Sequence, residues 1–303
     1  MNYCLFLGHR YGYKALPLFL KKKADVKRVV IEQEFEHEAE KYDKKIIELC
    51  ESHGVQYSLD LSREAVMKNI VGDYPDIIFV YGYRRLIPKE AYGTAKHAMA
   101  LHYSLLPQYR GFAPVNWAII NGEKETGISL FYLDEEADSG DIILQRSVEI
   151  SAREDINDVL EKCDEQALEL ISEGIDLFEQ GIFPRMKQDN TLATYACSRS
   201  PEDGKINWED TAENICNLIR AITRPFPCAY TFWENEKISI IDAEVFPVRK
   251  YVGIVCGRII QIIDGRGVVA LAGQGAVLVK HIVKDNMVMT ADKLCRSVRK
   301  KFK

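Results

Sequence analysis

The sequence predicts an α/β protein: a mostly parallel sheet with helices on both faces, followed by a smaller antiparallel β domain. Three observations lead there. In the N-terminal half, short apolar runs alternate with stretches of helical period. Asp76-Ile77-Ile78-Phe79-Val80-Tyr81-Gly82 is a continuous apolar run, the signature of a central strand buried on both faces. After Pro225-Phe226-Pro227 the helical period is replaced by short strands at regular spacing.

Taken in order, Tyr3 to Leu7 reads as a strand ending at Gly8, with a helix expected from Tyr13 to Lys23 that Pro17 bends or opens. Val26 to Ile31 is the next strand. Phe35, Ala39, Tyr42, Ile46 and Leu49 keep helical spacing from Glu34 to Ser52, and Gly54 is placed to end that helix. A strand over Val55 to Leu59, a helix over Arg63 to Val71 and a strand over Ala98 to His102 follow. Pro114 to Asn121 opens a short helix, and Gly127 to Leu133 pairs with Ile142 to Ile150. Ile156, Leu160, Cys163, Ala167, Ile171, Ile175 and Phe178 form the buried stripe of a long helix from Asp155 to Glu179. Another helix spans Ala212 to Ile222. The expected late strands are Tyr230 to Trp233, Lys237 to Val245, Gly253 to Ile262, Gly267 to Ala272 and Ala276 to Val283. The whole is a Rossmann-like sheet with an OB-like barrel behind it, divided as 1–205, a helical connection 206–228, and 229–303. The basic tail from Lys293 reads as a frayed, solvated end.

Its 303 residues are enough for two domains. A net charge of −5 argues against a general nucleic-acid binder, which needs a basic face to displace counterions from phosphates. Eight cysteines show neither Cys-x-x-Cys nor zinc spacing, which suggests reduced, packed thiols in a cytoplasmic protein and no metal. The N-terminus lacks the features of a signal peptide, and no run reaches the ~18–20 apolar residues that cross a bilayer.

Two stretches concentrate the chemistry: Ala100 to Gly111 and Ala137-Asp138-Ser139-Gly140-Asp141. His102 stands in an apolar extended segment, with positions 100, 102 and 104 on one side. Asp138 follows in a turn rich in small residues. Together they suggest an acid/base pair, although Asp-Ser-Gly is also ordinary turn chemistry. Ser104 shares the face of His102 and would hydrogen-bond either near the site or to the backbone of its own loop, and Arg110 reads as structural. Ligands in such sheets bind beyond the carboxyl ends of strands. His9, Arg10 and Tyr11 occupy one such end, and Arg84 and Arg85 another. Gly8 to Gly12 lacks the dinucleotide fingerprint, which argues against a nicotinamide enzyme.

The pattern His102-Tyr103-Ser104-Leu105-Leu106-Pro107, then Arg110-Gly111 and Asp138-Ser139-Gly140, resembles the folate-dependent formyltransferases. Gly111 to Glu123, Arg199 to Trp208 and Arg220 to Pro227 look most like the sugar N-formyltransferases within that family. The resemblance implies transfer of a formyl group from N10-formyltetrahydrofolate to the amine of a nucleotide-linked (UDP or dTDP) amino-dideoxy sugar, by a homodimer. It gives His102 and Asp138 the proton transfers. It puts the pterin between Leu86, Ile87 and Pro88 and the segment Asp134 to Ala137. Arg84 and Arg85 would meet the pyrophosphate, unless they are solvated surface arginines, and His9, Arg10 and Tyr11 the sugar or nucleotide. Two positions depart from the family. Cys228 stands where relatives often have Gly. Ala100 stands where the family has an Asn whose amide faces the formyl oxygen, and loss of one oxyanion donor typically costs about 10²–10³ in rate. The chain is therefore expected to be slow. An alanine in an otherwise intact site reads as an engineered substitution, the alternative being a natural paralogue that lost activity or uses another donor.

The rivals are methionyl-tRNA formyltransferase, a non-catalytic binder of folate or sugar nucleotide, and a hydrolase of formyltetrahydrofolate. The tRNA enzyme carries a basic insertion after its second strand. Here that segment holds Glu32, Glu34, Glu36, Glu38 and Glu40. They would repel phosphates, or form a solvated helix start with acids at the positive dipole end; both disfavour tRNA.

Overall fold

Each apolar run of the N-terminal half becomes a strand of one sheet. The structure is a computed structural model that describes residues 1–34, 41–59, 62, 64, 65, 67 and 75–303. The strands are β1 (Asn2–Leu7), β2 (Asp25–Ile31), β3 (Gln56–Ser58), β4 (Ile77–Tyr81), β5 (His97–His102), β6 (Arg110–Gly111), β7 (Glu125–Tyr132), β8 (Ile142–Glu149) and β9 (Tyr195–Ala196). Seven of them form a sheet of order β3-β2-β1-β4-β5-β7-β8, and β6 pairs with β9 separately. Pairing is parallel from β3 to β5 and antiparallel between β5 and β7. The chain winds outward from β1 to β3, then returns to lay β4 on the other side of β1. That reversal leaves a crevice beyond the carboxyl ends of the strands. There the two backbones nearly touch: a Cβ on Gly8 would lie 2.4 Å from the Gly82 carbonyl, and one on Gly82 2.4 Å from that of Gly8.

Several boundaries differ from expectation. The first helix is His9–Lys21, so His9, Arg10 and Tyr11 form its opening turn rather than a loop, and Pro17 lies inside it. Gly8, in extended conformation, is its N-cap. The second helix starts only at Tyr42 and runs to His53. Glu34 lies before it, where its carboxylate accepts the Tyr42 N–H at 2.6 Å. Glu32 and Glu34 are thus tucked carboxylates rather than a solvated helix start: Glu32 is buried, and the Glu34 side chain is closed off beside His9. Glu36, Glu38, Glu40 and most of the expected helix from Arg63 to Val71 lie outside the described residues. The long helix Ile156–Glu179 and the short helices Lys89–Tyr92 and Pro114–Ile120 complete this half.

The chain divides into two compact units. One comprises Met1–Gly111, Gly127–Val148 and Glu161–Tyr195; the other comprises Phe112–Thr126, Glu149–Leu160 and Ala196–Lys303. The second contains the helix Ala212–Ala221 and an antiparallel sheet of β10 (Ala229–Trp233), β11 (Glu236–Val245), β12 (Ile259–Ile263), β13 (Gly267–Leu271), β14 (Ala276–Lys284) and β15 (Met287–Thr290). Its order is β10-β11-β14-β13-β12, with β15 on β14. The strand expected from Gly253 begins only at Ile259, because Val252, Ile254 and Val255 are exposed. β15 was not foreseen. Asp285 and Asn286, both at positive φ, turn the chain back into it as in a two-residue hairpin.

The basic tail is not frayed. Cys295 and Phe302 are buried, Phe302 stacks on Trp208 at 5.1 Å, and Lys303 exchanges two backbone hydrogen bonds with Phe232. Cys228 takes φ 65°, a left-handed conformation that favours glycine, and its thiol donates to the Phe226 carbonyl at 3.3 Å.

Candidate active site

β5 carries the central histidine to the carboxyl edge of the sheet. The His102 imidazole is buried, and its Nε2 lies 2.8 Å from the Tyr109 carbonyl. A carbonyl only accepts, so Nε2 carries a proton. Nδ1 faces the Asp138 carboxylate, with Oδ2 at 3.6 Å. The same Oδ2 accepts the Gly111 N–H at 2.8 Å. His102 and Asp138, 36 positions apart, are therefore brought together with the ring held in one orientation.

The loops around the pair are firmly anchored. Asp138 adopts φ 57° and Tyr109 the same value, conformations that persist only where the surroundings impose them. Gln188 imposes the first: its Nε2 donates to the carbonyls of Asp138 at 2.8 Å and Gly140 at 2.7 Å. Its Oε1 accepts from Arg110 Nε at 3.2 Å and Nη2 at 2.7 Å. Arg110 is only 1% exposed and also donates to Asn190 at 2.7 Å, which makes it a buried strut under the site. Thr194 holds the other loop, accepting from Tyr109 N–H through its hydroxyl and from Arg110 N–H through its carbonyl. Ser104 donates to the Gln108 carbonyl at 2.6 Å, a structural bond within the loop. Nothing local in the sequence marks Gln188, which acts through partners far away in the chain.

Behind the histidine lies an apolar wall. Ala100 is buried on the same strand face, in a cluster with Val80, Leu106, Phe131 and Ile142. Tyr83, Ile87 and Leu133 pack on it half-buried. Of the positions expected to line a pterin, Ile87 thus belongs to this wall. Pro88 precedes the helix Lys89–Tyr92, Asp134 and Ala137 are exposed on the loop that carries Asp138, and Leu86 is 91% exposed, away from the wall.

Of the expected cations, all but Arg85 already face a carboxylate. Arg84 donates its N–H to Glu32 at 2.7 Å and holds its guanidinium 3.5 Å from the same carboxylate; Arg85 is exposed. His9 Nδ1 is 3.3 Å from Glu34. Arg10 lies 3.5 Å from the buried Asp164 and over the ring of Tyr11. Tyr11 packs against Tyr81 and Tyr103. The hydroxyls of Tyr81 and Tyr103 are 2.5 Å apart, and Tyr103 donates to Asp164 at 2.7 Å. Burial pushes both phenols well above their ordinary pKa, so they remain neutral donors. Among the described residues, no group of histidine, cysteine, aspartate or glutamate side chains has the arrangement of a metal site. No described helix is long and apolar enough to cross a membrane.

Comparison with known proteins gives the family. A formyl transferase family model matches residues 20–175, and a formyl transferase C-terminal domain model matches residues 199–299. The chain belongs to the formyl transferase family. Curated members of that family similar to it include the methionyl-tRNA formyltransferase of Thermodesulfovibrio yellowstonii. It is 42% identical over 172 residues, 56% of this chain and 55% of the relative. That of Fusobacterium nucleatum is 34% identical over 212 residues, 70% and 68% of the two chains. The match thus spans little more than half the length of the first of these formyl transferases. Among solved structures, WlaRD, a sugar 3N-formyl transferase, superposes with a TM-score of 0.70 at 19% identity over 92% of this chain and 96% of its own. HypX from Aquifex aeolicus, in complex with tetrahydrofolic acid, gives 0.64 at 18% identity over 96% of this chain and 46% of its own. At these identities the structural likeness establishes the fold. The formyl transferase family of the motifs therefore stands, while the sequence relatives bear the tRNA name and one of the fold neighbours the sugar name.

Proposed function

We propose that this formyl transferase moves a formyl group from N10-formyltetrahydrofolate to a primary amine, and that the amine belongs to a nucleotide-linked amino sugar. The observation that carries the reaction is the His102–Asp138 pair, with Nε2 tied to the Tyr109 carbonyl and Nδ1 turned towards a carboxylate 3.6 Å away. The apolar wall of Leu106, Phe131 and Ile142, with Ile87 at its rim, suits the flat ring of a pterin. When bound, the folate supplies an electrophilic formyl carbon. His102 Nδ1 accepts the proton that the attacking amine loses, and Asp138 faces the imidazolium that results. The new C–N bond forms on the acceptor as the bond to N10 breaks, and His102 returns the proton to N10. The Tyr109 carbonyl keeps the ring from flipping throughout.

Charge supports the small acceptor. The chain carries −5 overall, and the carboxylates of Glu32 and Glu34 sit just beyond β2 and engage Arg84 and His9. A polyanionic RNA gains little from such an edge. The second reading, methionyl-tRNA as acceptor, is favoured by relatives 34–42% identical. Incubation with N10-formyltetrahydrofolate and either dTDP- or UDP-amino sugars or methionyl-tRNA separates the two. Formylated sugar nucleotide in the mass spectrum supports the first reading; formylmethionyl-tRNA replaces it with the second. His102→Gln removes the Nδ1 base while preserving shape. Transfer at an unchanged rate in that variant would refute the mechanism.

A further inference from the structure

At the opposite end of β5 from His102 lies a cavity of about 290 Å³ that the proposed reaction does not use. His97 opens β5 and His102 closes it, so at ~3.3 Å per residue the two ends are about 16 Å apart. Two residues in the cavity lining each bury a polar atom that has no hydrogen-bond partner among the described residues: His97 Nδ1 and the Tyr132 hydroxyl. Tyr132 as a whole is only 4% exposed. Leaving such groups unpaired forfeits the hydrogen bonds they made to water in the unfolded chain. Sites where that cost is tolerated call for a ligand that removes it.

Two cations share the lining. The Arg185 guanidinium lies 3.7 Å from the centroid of the Tyr132 ring, and Lys96 adjoins His97. Each already meets a carboxylate, Arg185 with Asp141 at 3.2 Å and Lys96 with Asp76 at 2.6 Å. Both cations are largely exposed, and exposed pairs hold their partners weakly. The lining also carries the carboxylates of Asp134 and Asp141, but at His97 itself the cations prevail. After burial, Arg185 and Lys96 are the main influences lowering the His97 pKa, and only Asp76 opposes them. His97 is also fixed in place, its ring stacked on Phe183 at 3.7 Å.

We infer that this cavity is a second binding site, for a small oxyanion that accepts from the Tyr132 hydroxyl and from His97 and is held between Lys96 and Arg185. The site lies at the other end of β5 from the amine position, and Asp134 in its lining also belongs to the segment expected to border the pterin. Asp134, Gly140 and Asp141 border it, and they belong to the same loop as Asp138. An occupant would therefore press on the segment that presents the catalytic carboxylate.

Inorganic phosphate and succinate, titrated separately by calorimetry and thermal shift, test the site and distinguish a phosphate from a carboxylate occupant. Either one should raise the melting temperature and shift the His97 imidazole resonances. Tyr132→Phe keeps the ring and removes a buried hydroxyl, so it should fold at least as well as the parent. It should weaken binding about 10- to 100-fold, the worth of one hydrogen bond to a charged group. His102→Gln should leave binding unchanged. The inference is overturned if neither anion binds, if Tyr132→Phe binds as tightly as the parent, or if His102→Gln abolishes binding. The last result would place the anion in the catalytic cleft.

Discussion

Restoring an amide at position 100 is the sharpest test of the site. Ala100 lies two residues before His102 on one strand face, about 6.6 Å along β5, and pairs with Val80 and Phe131 on either side. Ala100→Asn would place a side-chain N–H₂ beside the histidine, facing the proposed formyl position. A single oxyanion donor is worth about 2.7–4 kcal/mol in the transition state, so kcat should rise about 10²–10³-fold. The added atoms must fit into a packed cluster, at a cost of roughly 1–3 kcal/mol in stability. For a chain of this size that lowers the melting temperature by roughly 2–12 °C. A typical reserve of 5–15 kcal/mol leaves the variant folded. The assay follows tetrahydrofolate release and acceptor mass in single-turnover mixtures, with the melting temperature measured in parallel. A folded variant with no gain in kcat would show that position 100 does not face the reacting oxygen, and the proposed placement of the formyl group would fall.

Gln188→Ala removes the clamp on the Asp138 and Gly140 carbonyls, so kcat should drop about 10²-fold with KM little changed, as expected when a catalytic group shifts by about 1 Å; an unaltered kcat would count against a positioning role. Phe302→Ala opens a cavity against Trp208 and should cost about 3–5 kcal/mol by denaturant unfolding; a loss below 1 kcal/mol would mean that the tail is not packed as described. Burial pushes the thiols of Cys50, Cys163, Cys216 and Cys295 up to about 12, so at neutral pH they stay protonated and inert. A thiol reagent should therefore label the exposed Cys197, and more slowly the half-buried Cys256, before unfolding releases the rest; mass spectrometry of labelled peptides reads the order.

The sheet was legible because a buried parallel strand leaves an uninterrupted apolar run, as Ile77–Tyr81 does. Helix starts were less legible. Nothing in Gly8-His9-Arg10 announces a first turn, since the extended Gly8 caps it without a side chain. Apolar content misled where burial did not follow, as at Val252 to Val255. Charge misled at the tail, where one aromatic, Phe302, outweighs the surrounding lysines by finding a place in the core. Within the site, the motif located His102 and Asp138. Their supports, Gln188 and Arg110, become related only once the chain has folded, because their bonds join segments about 80 residues apart.

The interleaving of the two compact units bears on how such enzymes diversify. The chain passes between them five times, and the helix Ile156–Glu179 is divided at Leu160. No single excision frees either unit as a contiguous piece. New specificities in this lineage are therefore expected to accumulate by point changes on retained loops, rather than by splicing one module onto another.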